Sequence, residues 1–228
     1  MTSRTPAQLL LAERLQRARS ARHVVLRAPV GSGLTAILAP VIQQVATSGF
    51  VLVMSPSKSV LHQWAASLQS QGGLPTRFVT SDLALELASG SPFTGSSGIL
   101  LATSASIRRG PTRAWLLSTN LALFVVDFVP PSPGGVTLRS VQDIVSRANQ
   151  TIVVDREPGI DLPPWLEKPS VASLTLDELI AFSGQRPIAS ESYSVRISQT
   201  EHTIVQQATR LLGWETESHS RAAMRFST

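Results

Sequence analysis

The residues Ala28-Pro29-Val30-Gly31-Ser32-Gly33-Leu34-Thr35 put two glycines and two hydroxyls where an apolar, β-branched run gives way to a helical one. A glycine turn of this kind can aim backbone N–H groups at a phosphate, because the first turn of the following helix leaves them without partners. A triphosphate-binding loop adds a lysine directly before the final threonine, reaching the β- and γ-oxygens. Here that position is Leu34. Gly31, Ser32 and Gly33 keep the backbone cradle, and Thr35 keeps a hydroxyl for Mg²⁺. The lost ammonium removes contacts worth ~1.5–3 kcal/mol per hydrogen bond. Weak binding of ATP with Mg²⁺ is the most that this loop leads one to expect, and no cofactor is required.

Other reactive constellations are poor. The chain has no cysteine, which excludes disulfides, thiolate catalysis and cysteine zinc sites. His23, His62, His202 and His219 lack metal-ligand spacing. Ser104 and Ser106 do not lie in a nucleophile elbow. Asp155 and Glu157 alternate at a strand end, where acids commonly cap turns or pair with arginine. Trp64 and Trp115 fall on helical stretches and are expected in the core. Trp165 and Trp214 fall in irregular stretches and are better placed for a partner.

The elements that must position these residues alternate along the chain. A helix begins near Pro6, capped by Thr5, with Leu9, Leu10 and Leu15 on one face. The runs HVVLRAP (23–29), FVLVMSP (50–56), TRFVT (76–80), GILLATS (98–104), LALFVVDF (121–128) and TIVVDREP (151–158) read as strands. Between them, TAILAPVIQQVA (35–46), SVLHQWAASLQS (59–70), SDLALELAS (81–89), PTRAWLLS (111–118) and VTLRSVQDIVSRA (136–148) read as helices, the first with a kink expected at Pro40. Continuous apolar strands alternating with helices predict a mostly parallel sheet covered on both faces. Ligands of such sheets sit at the strands' carboxyl ends, and it is there that the glycine turn falls. Residues 159–174 are proline-rich and read as a linker. Residues 175–228 read as a small C-terminal extension of helix, strand and helix with an unpatterned tail.

The chain's 228 residues, 43% hydrophobic and 15% charged, describe a globular protein. No apolar run approaches the ~20 residues that span a bilayer, so a soluble intracellular protein, cytoplasmic or nuclear, is expected. The net charge of +5 rests almost wholly on arginine, since Lys58 and Lys168 are the only lysines. Arginine favours planar contacts to phosphate, and a basic excess permits a nucleic-acid partner without demanding one.

Taken in order, the strand-end motifs resemble those of the first RecA-like domain of superfamily 2 helicases and translocases, over roughly residues 6–158. Ala28, Gly31, Gly33 and Thr35 match the family's first ATP-binding motif, with Leu34 in place of its lysine. Gln8 sits about where the family places a glutamine that reads adenine. VLVMSPSKSVLHQW resembles the next motif, with Pro56, Ser57 and Lys58 at the positions that touch the nucleic-acid backbone. ILLATSASI resembles the following one, with Thr103 and Ser104 at a nucleic-acid-contacting turn, and the basic cluster with Arg108 and Arg109 comes directly after. Asp127 matches the aspartate of the aspartate-glutamate box, and Phe128 replaces the glutamate. Asp155-Arg156-Glu157 replaces a serine-alanine-threonine triplet. The stretch from Ser190 to Leu212 faintly resembles the bridge into a second motor domain.

The resemblance implies an α/β, three-layer RecA-like domain over 1–158, a linker over 159–174 and an extension over 175–228. It also implies a lost activity. The family's lysine stabilises charge on the phosphates, and its glutamate activates water, help worth ~10²–10⁴-fold. Neither Leu34 nor Phe128 supplies these. The expected protein is a catalytically inactive helicase-like domain, a nucleic-acid-binding or protein-scaffolding subunit of a larger nucleic-acid-processing assembly, with other protein subunits as expected partners and DNA or RNA as a compatible one. The competing expectation is the ATP-binding half of an active nucleic-acid-dependent ATPase whose second motor domain lies on another chain or outside this sequence.

Overall fold

A computed structural model of the chain describes residues 4–80, 97–127, 135–156 and 165–183. The chain divides into two units, Met1–Gln185 and Arg186–Thr228, and every described residue belongs to the first. The expected helix at 81–89, Phe128, Glu157 and the expected elements after residue 184 lie outside the described residues.

The element order is α1 (Pro6–Ala18), β1 (His23–Arg27), α2 (Leu34–Val45), β2 (Phe50–Ser55), α3 (Lys58–Ser70), β3 (Thr76–Phe78), β4 (Gly98–Thr103), α4 (Ser104–Ile107), α5 (Gly110–Ser118), β5 (Leu121–Asp127), α6 (Gly135–Arg147), β6 (Gln150–Asp155), β7 (Ser170–Ser173) and α7 (Leu176–Ser183). The seven strands among the described residues form one sheet in the order β3-β4-β2-β5-β6-β1-β7. Every pairing is parallel. Parallel strands joined by helical crossovers must be covered on both faces, and β2 shows why its sequence is apolar throughout. Its Val51 and Val53 enter one core, while Leu52 and Met54 enter the other. The first core is closed by α1, α2 and α3 through Leu11, Leu15, Ile37, Leu38, Leu61 and Leu68. The second is closed by α5 and α6 through Leu116, Val141 and Ile144. The architecture is three-layered α/β, as the strand pattern predicts.

Helix α2 continues through Pro40, well past its first turn. One local feature differs from the sequence reading. Ser170–Ser173, inside the stretch read as a linker, is a strand that pairs with β1 from Val24 to Arg27. Its Ser-Val-Ala-Ser sequence is short and carries a single β-branched apolar residue, so it gives little strand signal. Helix α7 follows with Thr175 and Glu178 as a reciprocal cap. The Glu178 N–H donates to Thr175 Oγ1 at 3.2 Å, and the Thr175 N–H donates to Glu178 Oε2 at 2.9 Å. Arg14 of α1 joins this corner, donating from Nη2 to Glu178 Oε1 at 2.7 Å and from Nη1 to the Ser173 carbonyl at 2.6 Å.

Candidate functional site

The glycine turn continues β1. The Ala28 N–H still donates to the Asp155 carbonyl of β6 at 3.0 Å, and the Ser32 N–H then closes a turn onto the Pro29 carbonyl at 3.2 Å. Gly31 (φ 89°) and Gly33 (φ 77°) both adopt left-handed backbone, which costs other residues roughly 1–2 kcal/mol. Gly33 is the N-cap of α2 and has no side chain to cap it. The first N–H groups of the helix therefore face the turn. Ser32 is buried, and its hydroxyl has no hydrogen-bond partner among the described residues. Leu34 points the other way. It is 3% exposed and belongs to the first core. Thr35 is half-buried.

Gln8 lies against this turn. A Cβ on Gly33 would collide with the Gln8 amide nitrogen, so the two approach as closely as a glycine allows. The other end of the same amide is in use: Gln8 Oε1 accepts the Thr5 N–H at 3.1 Å, in the capping box that starts α1.

Asp127 ends β5 and is wholly buried. Trp64 of α3 donates its indole N–H to Oδ2 at 2.6 Å. Arg156, following β6, donates from Nε to Oδ1 at 3.2 Å and from Nη2 to both oxygens, at 2.8 and 2.9 Å. Each carboxylate oxygen therefore accepts from the protein's own donors, Oδ1 from Arg156 and Oδ2 from Trp64 and Arg156. Next to this pair, Arg27 of β1 donates to Asp155 of β6 at 2.6 Å. The sheet order explains the arrangement, since β6 lies between β1 and β5. An arginine just past its end therefore reaches the aspartate of β5.

A second group forms at the ends of β2 and β4, on the other side of β5. Ser55 of β2 pairs with Thr103 of β4, so Pro56, Ser57 and Lys58 lie beside Thr103 and Ser104. Pro56 and Lys58 are exposed, and Ser57, Thr103 and Ser104 are half-buried. Thr103 caps α4, its Oγ1 accepting the Ser106 N–H at 3.1 Å. Ser57 is the N-cap of α3, and its hydroxyl meets that of Ser59 at 2.6 Å. Arg108 and Arg109 follow α4 on the exposed surface.

No protein-family model matches the chain, and no curated protein matches its sequence. Solved structures do match its fold. A nuclease-deletion mutant of the Type ISP restriction-modification enzyme LlaGI, in complex with a DNA substrate mimic, aligns with a TM-score of 0.59 at 12% identity over 79% of this chain. A hypothetical ATP-dependent RNA helicase from Sulfolobus tokodaii aligns with a TM-score of 0.53 at 15% identity over 76% of this chain. These likenesses show the fold, a RecA-like three-layered α/β domain with an all-parallel sheet. The matches span 20% of the restriction enzyme's chain and 54% of the helicase's.

Within this RecA-like domain, the side chains expected at a nucleotide are engaged by the protein itself. Both Asp127 oxygens accept from Trp64 or Arg156, and Leu34 is packed in the core. The turn's N–H groups are what remains for a phosphate. Among the described residues, no three His, Cys, Asp or Glu side chains come together to hold a metal ion, and no helix is long and apolar enough to cross a membrane.

Two residues gain roles that their local sequence does not display. Trp64, expected in the core, is fully buried there and is also a donor to Asp127. Arg156, noted only for replacing a family residue, is that carboxylate's charge partner. Trp165 is partly buried against the second core, and Trp115 meets Phe50 edge to face at 5.6 Å. His23 is buried at the start of β1, far from the strand ends that carry the site. Burial and then the neighbouring Arg22 hold its imidazole below the ordinary value, with Glu167 opposing them.

Proposed function

We propose that the protein is a helicase-like domain that does not turn over ATP and serves as a binding module in a larger nucleic-acid-processing assembly. The observation that carries this reading is the Asp127 carboxylate, buried and engaged at both oxygens by Trp64 and Arg156. In a phosphoryl-transfer site the corresponding work is positioning and charge stabilisation around Mg²⁺, and that work needs an open carboxylate. The burial of Leu34 supports the same reading. Gln8, Gly31, Ser32, Gly33, Leu34, Thr35 and Asp127 are then a vestigial nucleotide site.

The binding surface we assign to nucleic acid lies at the ends of β2 and β4, where Pro56, Ser57, Lys58, Thr103 and Ser104 stand together with Arg108 and Arg109 nearby. Exposed cations beside hydroxyls and helix N-termini suit a phosphate backbone rather than base edges. The DNA mimic bound by the restriction enzyme and the RNA named for the Sulfolobus tokodaii helicase support this choice. Other subunits are the partners expected of a binding module.

Two measurements test the proposal. Calorimetry with millimolar Mg²⁺-ATP should give no heat of binding. Titrations with single- and double-stranded DNA and RNA at several salt concentrations should show affinity falling with salt, each neutralised phosphate steepening the log–log slope by about 0.9 on duplex DNA and about 0.7 on single strands. ATP turnover stimulated by nucleic acid would overturn the proposal in favour of an active ATPase half. Absence of any salt-dependent binding would leave only the protein-scaffolding role.

A further inference from the structure

Asp127, Trp64 and Arg156 come from β5, α3 and the residue after β6, and they meet on one buried carboxylate. A charge removed from water is tolerated only when it is paired and its hydrogen-bonding positions are filled. Asp127 meets both conditions through side chains of its own chain. Trp64 is fully buried, and the Arg156 side chain keeps 27% of its exposure, so one end of the pair reaches solvent. The guanidinium suits this place because its planar fork spans both carboxylate oxygens, whereas an ammonium would act as a single point of charge.

We infer that Arg156 is a built-in counter-ion for the site, a positioning residue that does internally what a bound cation would otherwise do. It neutralises Asp127, and through that carboxylate it fixes α3 by way of Trp64 and ties the ends of β5 and β6 together. The inference rests on the reading that this site does not use a nucleotide, and it adds a consequence. Order at these strand ends is independent of any ligand, and a divalent cation reaches Asp127 only by displacing Arg156. The contrasting view is that Arg156 merely lies on the nearest acid, as surface ion pairs do, and such pairs contribute little.

The test uses the full chain, Mn²⁺ as the probe, and thermal melting followed by near-ultraviolet circular dichroism. The wild type should melt at the same temperature with and without millimolar Mn²⁺. Arg156→Ala strands the buried carboxylate and should lower the Tm by roughly 10 °C, and Mn²⁺ should recover part of that loss. The neutral pair Asp127→Asn with Arg156→Gln should melt near the wild type and ignore Mn²⁺. The inference is overturned if Arg156→Ala melts like the wild type, if Mn²⁺ fails to raise its Tm, or if Mn²⁺ stabilises the wild type equally. Should Arg156→Ala not fold, the neutral pair decides: its folding supports charge compensation, and its failure overturns it. ATP binding by the wild type would remove the proposed function, whereas the Arg156→Ala melt stands or falls separately.

Discussion

Replacing Leu34 with lysine restores the residue that a phosphate loop of this pattern carries, and it separates two views of the position. If the site merely lacks a charge, Leu34→Lys should be tolerated and should gain nucleotide affinity. The structure predicts otherwise. Leu34 is 3% exposed and sits in the core that also holds Ile37 and Leu38. Truncation to alanine at such a site costs ~2–5 kcal/mol, whereas the volume-conserving Leu34→Met costs less than about 1.5 kcal/mol. Lysine keeps an apolar stem but must carry its ammonium back to water, so its cost falls within the truncation range. With about 2–4 °C per kcal/mol for a chain of this size, Leu34→Lys should lower the Tm by roughly 5–10 °C. Affinity for Mg²⁺-ATP should not appear, because Arg156 still occupies Asp127. Melts of the Lys, Met and Ala variants, with calorimetry of the first, make the comparison. A lysine variant that melts within about 2 °C of the wild type and binds Mg²⁺-ATP would refute the reasoning.

Glu178 gives a pH prediction. Its hydrogen bonds from Arg14, and then from the Thr175 backbone, lower it from 4.5 to about 2. A carboxyl depressed on folding contributes stability that is complete above its ordinary value and is lost as pH falls from 4.5 towards 2. The pair is about one-third exposed, so the loss is of order 1 kcal/mol, and Glu178→Gln should flatten acid melting curves over that window. The glycine turn gives a second prediction. Gly31→Ala should cost about 1–2 kcal/mol from its left-handed backbone alone, since nothing lies near its missing Cβ. Gly33→Ala should carry the same strain and also displace Gln8, so Gln8→Ala should be partly rescuing at Gly33→Ala and neutral towards Gly31→Ala in a double-mutant cycle.

Much of the fold was legible because burial on both faces forces a strand to be apolar along its whole length. FVLVMS and LALFVVD announce themselves for that reason. β7 did not, since a four-residue edge strand of Ser-Val-Ala-Ser needs only one neighbour and little apolar surface. The glycine turn was legible in the same local way, because left-handed backbone selects glycine where it stands. The environment of Asp127 was not. Trp64 and Arg156 lie 63 and 29 residues from it, and only the sheet order brings them together. The absence of a lysine could be read from position 34 alone, but where the leucine goes depends on α2 packing against α1, α3 and the sheet.

The strand that carries the glycine turn is made early and paired late. β1 has β6 and β7 as its neighbours, and Arg27 stands 128 residues before its cross-strand partner Asp155. Arg14 stands 159 residues before the Ser173 carbonyl that it holds. During synthesis on the ribosome, β1 emerges with no partner strand until β6, residues 150–155, has been made. Non-local closure of this kind slows folding and prolongs the exposure of apolar surface. The run from His23 to Leu26 thus stays without a strand neighbour until β6 has left the exit tunnel, and its second edge stays open until residue 173 has followed.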